Sequence, residues 1–269
     1  MNNKRKEIIV LICIVVVIPT VIYFTSPINK IVCAHTFSND NAASLLSIME
    51  EYKEELNLIR NNLDSNFTLS HLHANNVIDQ GYIPRIANQI YSTESPKGGD
   101  LTNSFNNLEG DLSNMYTNNN SLAINAIRTQ TGAINSIVDN CKKLFVDSHV
   151  NDNNTINALT INNLLDSSLR YYESGTNRDS NGNVISIKNP IYYQNAVGFA
   201  NRSVQLLNQM DTNQFQQNGA AADMSLFKNL QNYFVIFENY IDHTQNYNKI
   251  MVLLHIQIKA NLQKLFNLK

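Results

Sequence analysis

From Asn41 the apolar residues fall at Ala42, Leu45, Met49, Tyr52, Leu56, Ile59 and Leu63, in alternating steps of three and four. That rhythm keeps a stripe on one side of a helix and has the character of a coiled-coil seam. Ser38, Asn39 and Asp40 offer N-caps, while Glu50, Glu51, Glu54 and Glu55 fall on other faces and read as a solvated surface. The pattern predicts a further helix over 68–80, ended by Gly81, and a short one over 84–91 with Pro84 at its start. Residues 92–100, with Pro96, Gly98 and Gly99, read as a loop. Leu101, Phe105, Leu108, Leu112 and Met115 then repeat the four-three rhythm, and Ala123, Ile127, Ile134, Ile137, Cys141 and Leu144 resume it after an Asn run at 118–120.

Further helices are expected over 156–172 and from Asn189, which caps Pro190 at a first helical position, as far as Leu207. The last fifty residues hold neither Gly nor Pro. Phe227, Leu230, Phe234, Phe237 and Ile241 form a second seam, extended by Met251, Ile258, Leu262 and Leu265. Thr244 and Asn248 fall on seam positions, so one continuous helix and a break near 244–248 both stay open. Residues 174–188 are the exception to helix: Asn181-Gly182 is a hairpin turn signal and Val184, Ile185 and Ile187 have strand character. The expected fold is mainly α, an elongated antiparallel helical bundle with coiled-coil-like seams and one small β-hairpin, occupying 36–269.

Composition narrows the possibilities. Nine Gly and five Pro are too few for a many-stranded sandwich, and no Gly-rich phosphate loop is present. A net charge of −2 gives no electrostatic case for nucleic acid. The 44 Asn outnumber the 42 charged residues; Asn is a mediocre helix former, so these helices must draw stability from packing.

Residues 1–35 bear on location. Lys4, Arg5 and Lys6 precede an apolar run whose first residue is Ile8 and last Phe24, broken only by Pro19 and Thr20. At 1.5 Å per residue it spans roughly 25 Å, a short membrane anchor or a long signal-peptide core. Val32-Cys33-Ala34 fits a small-residue cleavage rule with Ala34 before the cut. Anchor and cleaved signal both stay open, and either way the basic flank places the rest of the chain outside the cytoplasm. There Cys33 and Cys141 would meet an oxidising compartment in which they could pair, with a buried core thiol as the plainer reading of Cys141.

Candidate chemistry is thin. Asn177, Asp179 and Asn181 with Gly182 resemble the opening of a calcium loop, but Lys188 stands where the bidentate Glu belongs, which favours a plain hairpin. His71 and His73 are two apart and face different sides of a helix, so they cannot share a metal. No nucleophile elbow or metalloprotease motif occurs. The reading is therefore non-enzymatic, with no metal, no cofactor and no nucleic acid. The seams at Leu45, Met49, Tyr52, Leu56, Ile59 and at Phe227, Leu230, Phe234, Phe237, Ile241 are the expected partner-binding faces, toward other envelope proteins or a second copy.

An exported N-terminus followed by Ile161-Asn162-Asn163-Leu164-Leu165-Asp166, a polar insertion, and Asn189-Pro190-Ile191-Tyr192-Tyr193-Gln194-Asn195-Ala196-Val197-Gly198-Phe199 resembles periplasmic helical subunits of type IV secretion systems, the IcmX-like component of the Dot/Icm class in particular. The resemblance covers about 155–255 and is one of texture and order. It implies a structural role in moving protein or DNA across the envelope, and carries over no site residue. Two other expectations stand beside it: a membrane-tethered accessory subunit of another complex, and an exported sensing or adhesion bundle, which would show a pocket or an exposed aromatic patch.

Overall fold

The computed structural model describes residues 41–93, 95–118, 123–147, 153–210, 212–213, 215 and 221–268. The chain divides into two units, 1–36 and 37–269, and every described residue belongs to the second. The apolar run between Ile8 and Phe24, Cys33 and the cleavage position Ala34 lie outside the described residues.

The second unit is mainly helical with one small antiparallel two-stranded sheet. Its first helix, α1 (Asn41–Asn62), follows the expected seam, and Leu45, Met49, Tyr52, Leu56 and Ile59 are all buried. Ala43, Leu46 and Ile48 are buried as well, together with Glu50, Glu51 and Glu55. A helix covered around most of its circumference is a central element rather than one strand of a coiled coil.

Around it stand α2 (Phe67–Asp79), α3 (Tyr82–Thr93), α4 (Ser95–Asn118), α5 (Ala123–Asp147), α6 (Asn153–Gly175) and α7 (Pro190–Asn208), of which α2, α3, α5, α6 and α7 pack directly on α1. Asn66 caps α2 by accepting from the Leu69 N–H at 3.2 Å, and Gly81 ends the segment at φ +63°. The expected loop at 92–100 is instead the end of α3 and the first turn of α4, with residue 94 between them. Pro96 falls in that first turn, where a missing N–H leaves no intrahelical bond unmade. Gly98, Gly99 and Gly110 cost α4 about 1 kcal/mol each relative to Ala. Leu101, Phe105, Leu108 and Leu112, all fully buried, supply tertiary packing that outweighs this.

The hairpin forms as expected, with β1 (Thr176–Arg178) pairing antiparallel to β2 (Val184–Ile187) and a register shift between Asn177 and Arg178. Asp179 closes the turn by accepting from the backbone N–H groups of Asn181 at 2.9 Å and Asn183 at 2.8 Å, while Gly182 takes φ +84°. The Asn183 side-chain amide also donates to Asp179, and these hydrogen bonds hold its carboxyl below the usual range. The turn's oxygens thus already accept from the chain's own N–H groups, which is the plain-hairpin arrangement.

The C-terminal seam runs along α8 (Ala221–Asp242), where Phe227, Leu230, Phe234, Phe237 and Ile241 are buried. Of the two alternatives the helix takes the break, with Thr244 at φ +49° and Asn246 capping α9 (Tyr247–Val252). A π-helical stretch, Leu253–Lys259, then leads into α10 (Ala260–Phe266). The wider π turn shifts the periodicity. Ile250, Leu254, Ile258, Leu262 and Phe266 form the buried row, and Met251 and Leu265 move to its margin. Lys259, 4% exposed, turns inward to Asp166 on α6 at 2.5 Å.

Asn246 joins the hairpin to this end of the bundle. Its Oδ1 accepts from the N–H groups of Asn248 and Lys249, and its Nδ2 donates to the Asn181 carbonyl and the Asn183 side chain at 2.9 and 2.8 Å. Asn246→Ala removes a helix cap and both hairpin contacts, and urea unfolding is expected to show a loss of about 1–2 kcal/mol.

Candidate functional site

The four glutamates of α1 are not a solvated face. Glu50 and Glu55 have no exposed surface, Glu51 is 7% exposed and Glu54 is half-buried. The reason is the place of α1 in the middle of the bundle: over most of its circumference its side chains meet another helix, so the carboxyls buried there need partners.

Glu50 faces two cations. Lys142 of α5 donates to Oε1, and Arg202 of α7 donates through Nε to Oε2 at 2.6 Å. Burial pushes this carboxyl up, but the two cations together outweigh burial and hold it below the usual range. Glu51 lacks such a pair. Ser167 of α6 donates to its Oε1 at 2.5 Å, and burial, only partly offset by that bond and by Arg170, raises its proton affinity. Tyr82 of α3 and Tyr171 of α6 face the same spot, and burial together with the Glu51 carboxyl keeps both phenols protonated.

Glu55 is the centre of a buried polar network. Its Oε1 accepts from the side-chain amides of Asn76 (α2) at 2.5 Å and Asn195 (α7) at 2.6 Å, and its Oε2 lies 2.7 Å from His73 Nδ1. The other ring nitrogen of His73 is 2.7 Å from Gln194 Oε1. Asn62 Nδ2 donates to that same oxygen at 3.0 Å and to the Leu58 carbonyl at 2.8 Å, which fixes the orientation of both amides. Since Gln194 presents its oxygen, His73 Nε2 is a donor. As the sequence implies, His71 faces elsewhere: it stacks on Tyr116 with ring centres 5.5 Å apart.

Glu54 lies one turn from Glu50 and Glu51 and opens onto a cleft of about 370 Å³ between α1, α7 and α8. Asn57, Arg60 and Asn61 continue the α1 wall; Asn201 and Gln205 of α7 and Glu238 of α8 form the others. The Glu54 side chain lies flat over Gly198, where an added Cβ would come within 2.7 Å of its Cγ and Oε1. Its only hydrogen bond among the described residues is from Asn57 at 3.2 Å. Burial pushes its carboxyl from 4.5 up to about 7; Asn57 and Arg202 oppose this, and the Glu55 and Glu50 carboxyls add to it. Burial raises Glu238 too, with Asp242 adding to the effect.

A carboxyl with raised proton affinity in the folded chain favours that state at low pH, and the advantage fades as pH climbs from 4.5 through about 7. Glu54→Gln removes the titration. The variant is expected to match the parent near pH 4 and to be more stable by about 1–2 kcal/mol at pH 8, after discounting the shift for partial solvent exposure. Urea unfolding at the two pH values checks it.

The expected partner-binding residues, from Leu45 to Ile59 on α1 and Phe227 to Ile241 on α8, lie in this chain's own core. A side chain packed there has no surface to offer a second protein. Cys141 is buried on α5. Among the described residues no group of three or more His, Cys, Asp or Glu side chains could hold a metal ion, and no helix is long and apolar enough to cross a membrane. What sequence reasoning missed is the carboxylate core. Its one available signal was the coincidence of Glu50, Glu51, Glu54 and Glu55 with apolar residues on all sides of the same helix, Ala43, Leu46 and Ile48 included. Compared with known proteins, the chain matches no family model, no curated protein and no solved structure.

Proposed function

We propose that this chain is a non-enzymatic assembly protein of the cell envelope, a structural component of a type IV secretion-like machine that contacts other envelope proteins. The N-terminal apolar run gives it a route to the envelope, and the resemblance over 155–255 supplies the machine. The observation that carries the assembly reading is how the ionisable groups of α1 are used. Glu50 ties α1 to α5 and α7, Glu51 ties it to α6, and Glu55 ties it to α2 and α7. Chemistry that an active site would turn toward a substrate here joins helix to helix, which suits a rigid scaffold.

Cross-linking in the native cell, followed by affinity purification and mass spectrometry, tests it. Recovery of an envelope channel with its ATPase is the expected result. Recovery of a different membrane complex would replace this reading with that of an accessory subunit, and recovery of the bait alone would overturn both. A second reading, an exported ligand-sensing bundle, is favoured by one observation, the Glu54 cleft, because such a bundle needs a pocket.

A further inference from the structure

We propose that the cleft between α1, α7 and α8 binds a small organic cation bearing primary amines, held between the carboxyl groups of Glu54 and Glu238. The inference deepens the sensing reading and stands apart from the assembly reading.

Four features converge. First, the two carboxyls differ from their neighbours. Glu50 holds two cations, whereas neither Glu54 nor Glu238 forms an ion pair among the described residues. Arg202, the cation that acts on Glu54, is already engaged: it donates through Nε to Glu50 and through a terminal nitrogen to Gln205 at 2.9 Å. Second, the remaining lining suits an ammonium group. Asn57, Asn61 and Asn201 line the same space with side-chain amides able to accept from an ammonium, which has three donors and no acceptor, and Arg60 is the one cationic side chain of the lining. Third, size excludes a bare ion. The cleft of about 370 Å³ is an order of magnitude larger than the roughly 30 Å³ that a water molecule occupies. It also brings together two acidic side chains, short of the ligand set a dehydrated divalent cation requires. Fourth, the lining is mostly polar, with Val204 its one apolar side chain, so a hydrophobic ligand would bury most of its surface against amides and carboxyls.

The electrostatics give this binding a signature. The groups acting on Glu54 are Glu50 and Glu55 on its own helix and Arg202 on α7, with Arg60 and, from α8, Glu238 lining the same cleft. Near neutral pH Glu54 is about half protonated, so a cation entering the cleft displaces up to about half a proton into solvent. A neutral ligand displaces none.

Isothermal titration of the purified chain with putrescine and spermidine, at 25 °C and physiological salt, tests the proposal; xylitol serves as a neutral polyol of similar size. The expected result is saturable amine binding whose heat varies with the ionisation enthalpy of the buffer, with no xylitol binding. Affinity should fall at least tenfold in Glu54→Gln and in Glu238→Gln, and should weaken as pH is lowered to 5. Because Glu54→Gln is expected to fold more stably than the parent, loss of binding there reports the site and not the fold, and a thermal melt of each variant verifies this. Xylitol binding as tightly as the amines would overturn the cationic ligand. Amine affinity unchanged in the double variant, or no amine binding at millimolar concentration, would overturn the site. Partner capture in cells is measured separately, so failure of the cleft and failure of the assembly reading are distinguishable.

Discussion

Replacing Glu55 with Ala is expected to lower the unfolding free energy by about 3–5 kcal/mol, the range measured when one partner of a buried, hydrogen-bonded charged group is removed. The loss does not come from the missing side chain itself. It comes from what is left behind: the Asn76 and Asn195 amides would have no acceptor and His73 Nδ1 would lose its partner, all three fully or almost fully buried with no route to water. Each such orphan costs on the order of 1–3 kcal/mol. A graded series tests the argument. Glu55→Gln keeps one acceptor oxygen but turns an amide toward existing donors, so it should fall between parent and Ala variant. His73→Leu combined with Glu55→Leu removes the central pair together and should cost less than the sum of the two single Leu variants, a coupling of roughly 1–3 kcal/mol in a double-mutant cycle. Additive losses across that cycle would mean that the two groups do not act as a unit.

How much of this was legible in the sequence depends on which physical rule governed each place. The hydrophobic rhythm located α1, α2 and α8, because long periodic stripes must be buried whatever covers them. Local chemistry located the Asn189 cap and the hairpin at Asn181-Gly182, since these depend on neighbours a few residues away, and left the break before Asn246 open against a continuous helix. The start of α4 was misread because Pro96, Gly98 and Gly99 are turn residues by propensity, and tertiary packing of Leu101 and Phe105 overrides a propensity of that size. The π stretch at 253–259 was invisible, since a one-residue shift of register leaves no mark on composition. Glu50, Glu51 and Glu55 read as solvated because acidic residues almost always are. Lys142, Ser167, Asn195 and Arg202 lie some 90 to 150 residues downstream of them, and even His73 and Asn76 stand about 20 residues from Glu55 on another helix, so no local pattern connects them. The cleft was out of reach for the same reason: Glu54, Gly198 and Glu238 meet only once α1, α7 and α8 have packed.

Leu56→Asp is expected to prevent the chain from reaching its native fold at all. Leu56 has no exposed surface and sits next to Glu55, on the face of α1 that meets the core cluster. Truncating a buried leucine costs about 2–5 kcal/mol through lost transfer energy and cavity formation. A carboxylate placed there adds a desolvation penalty of several kcal/mol per ion with no cation to offset it, and stands beside a second buried carboxyl. Together these reach the whole stability of a typical domain, about 5–15 kcal/mol. Ile59→Asp, one turn on and equally buried, should act the same way. Circular dichroism and thermal melting should show loss of the cooperative transition. The conservative Leu56→Met, which keeps volume and polarity, should stay within about 1.5 kcal/mol of the parent. The contrast separates two roles for the α1 seam. If it were a surface for another protein, the Asp variants would fold alone and fail only in the presence of the partner. Burial within this chain means they fail alone, and a variant that melts like the parent would remove α1 from the centre of the bundle.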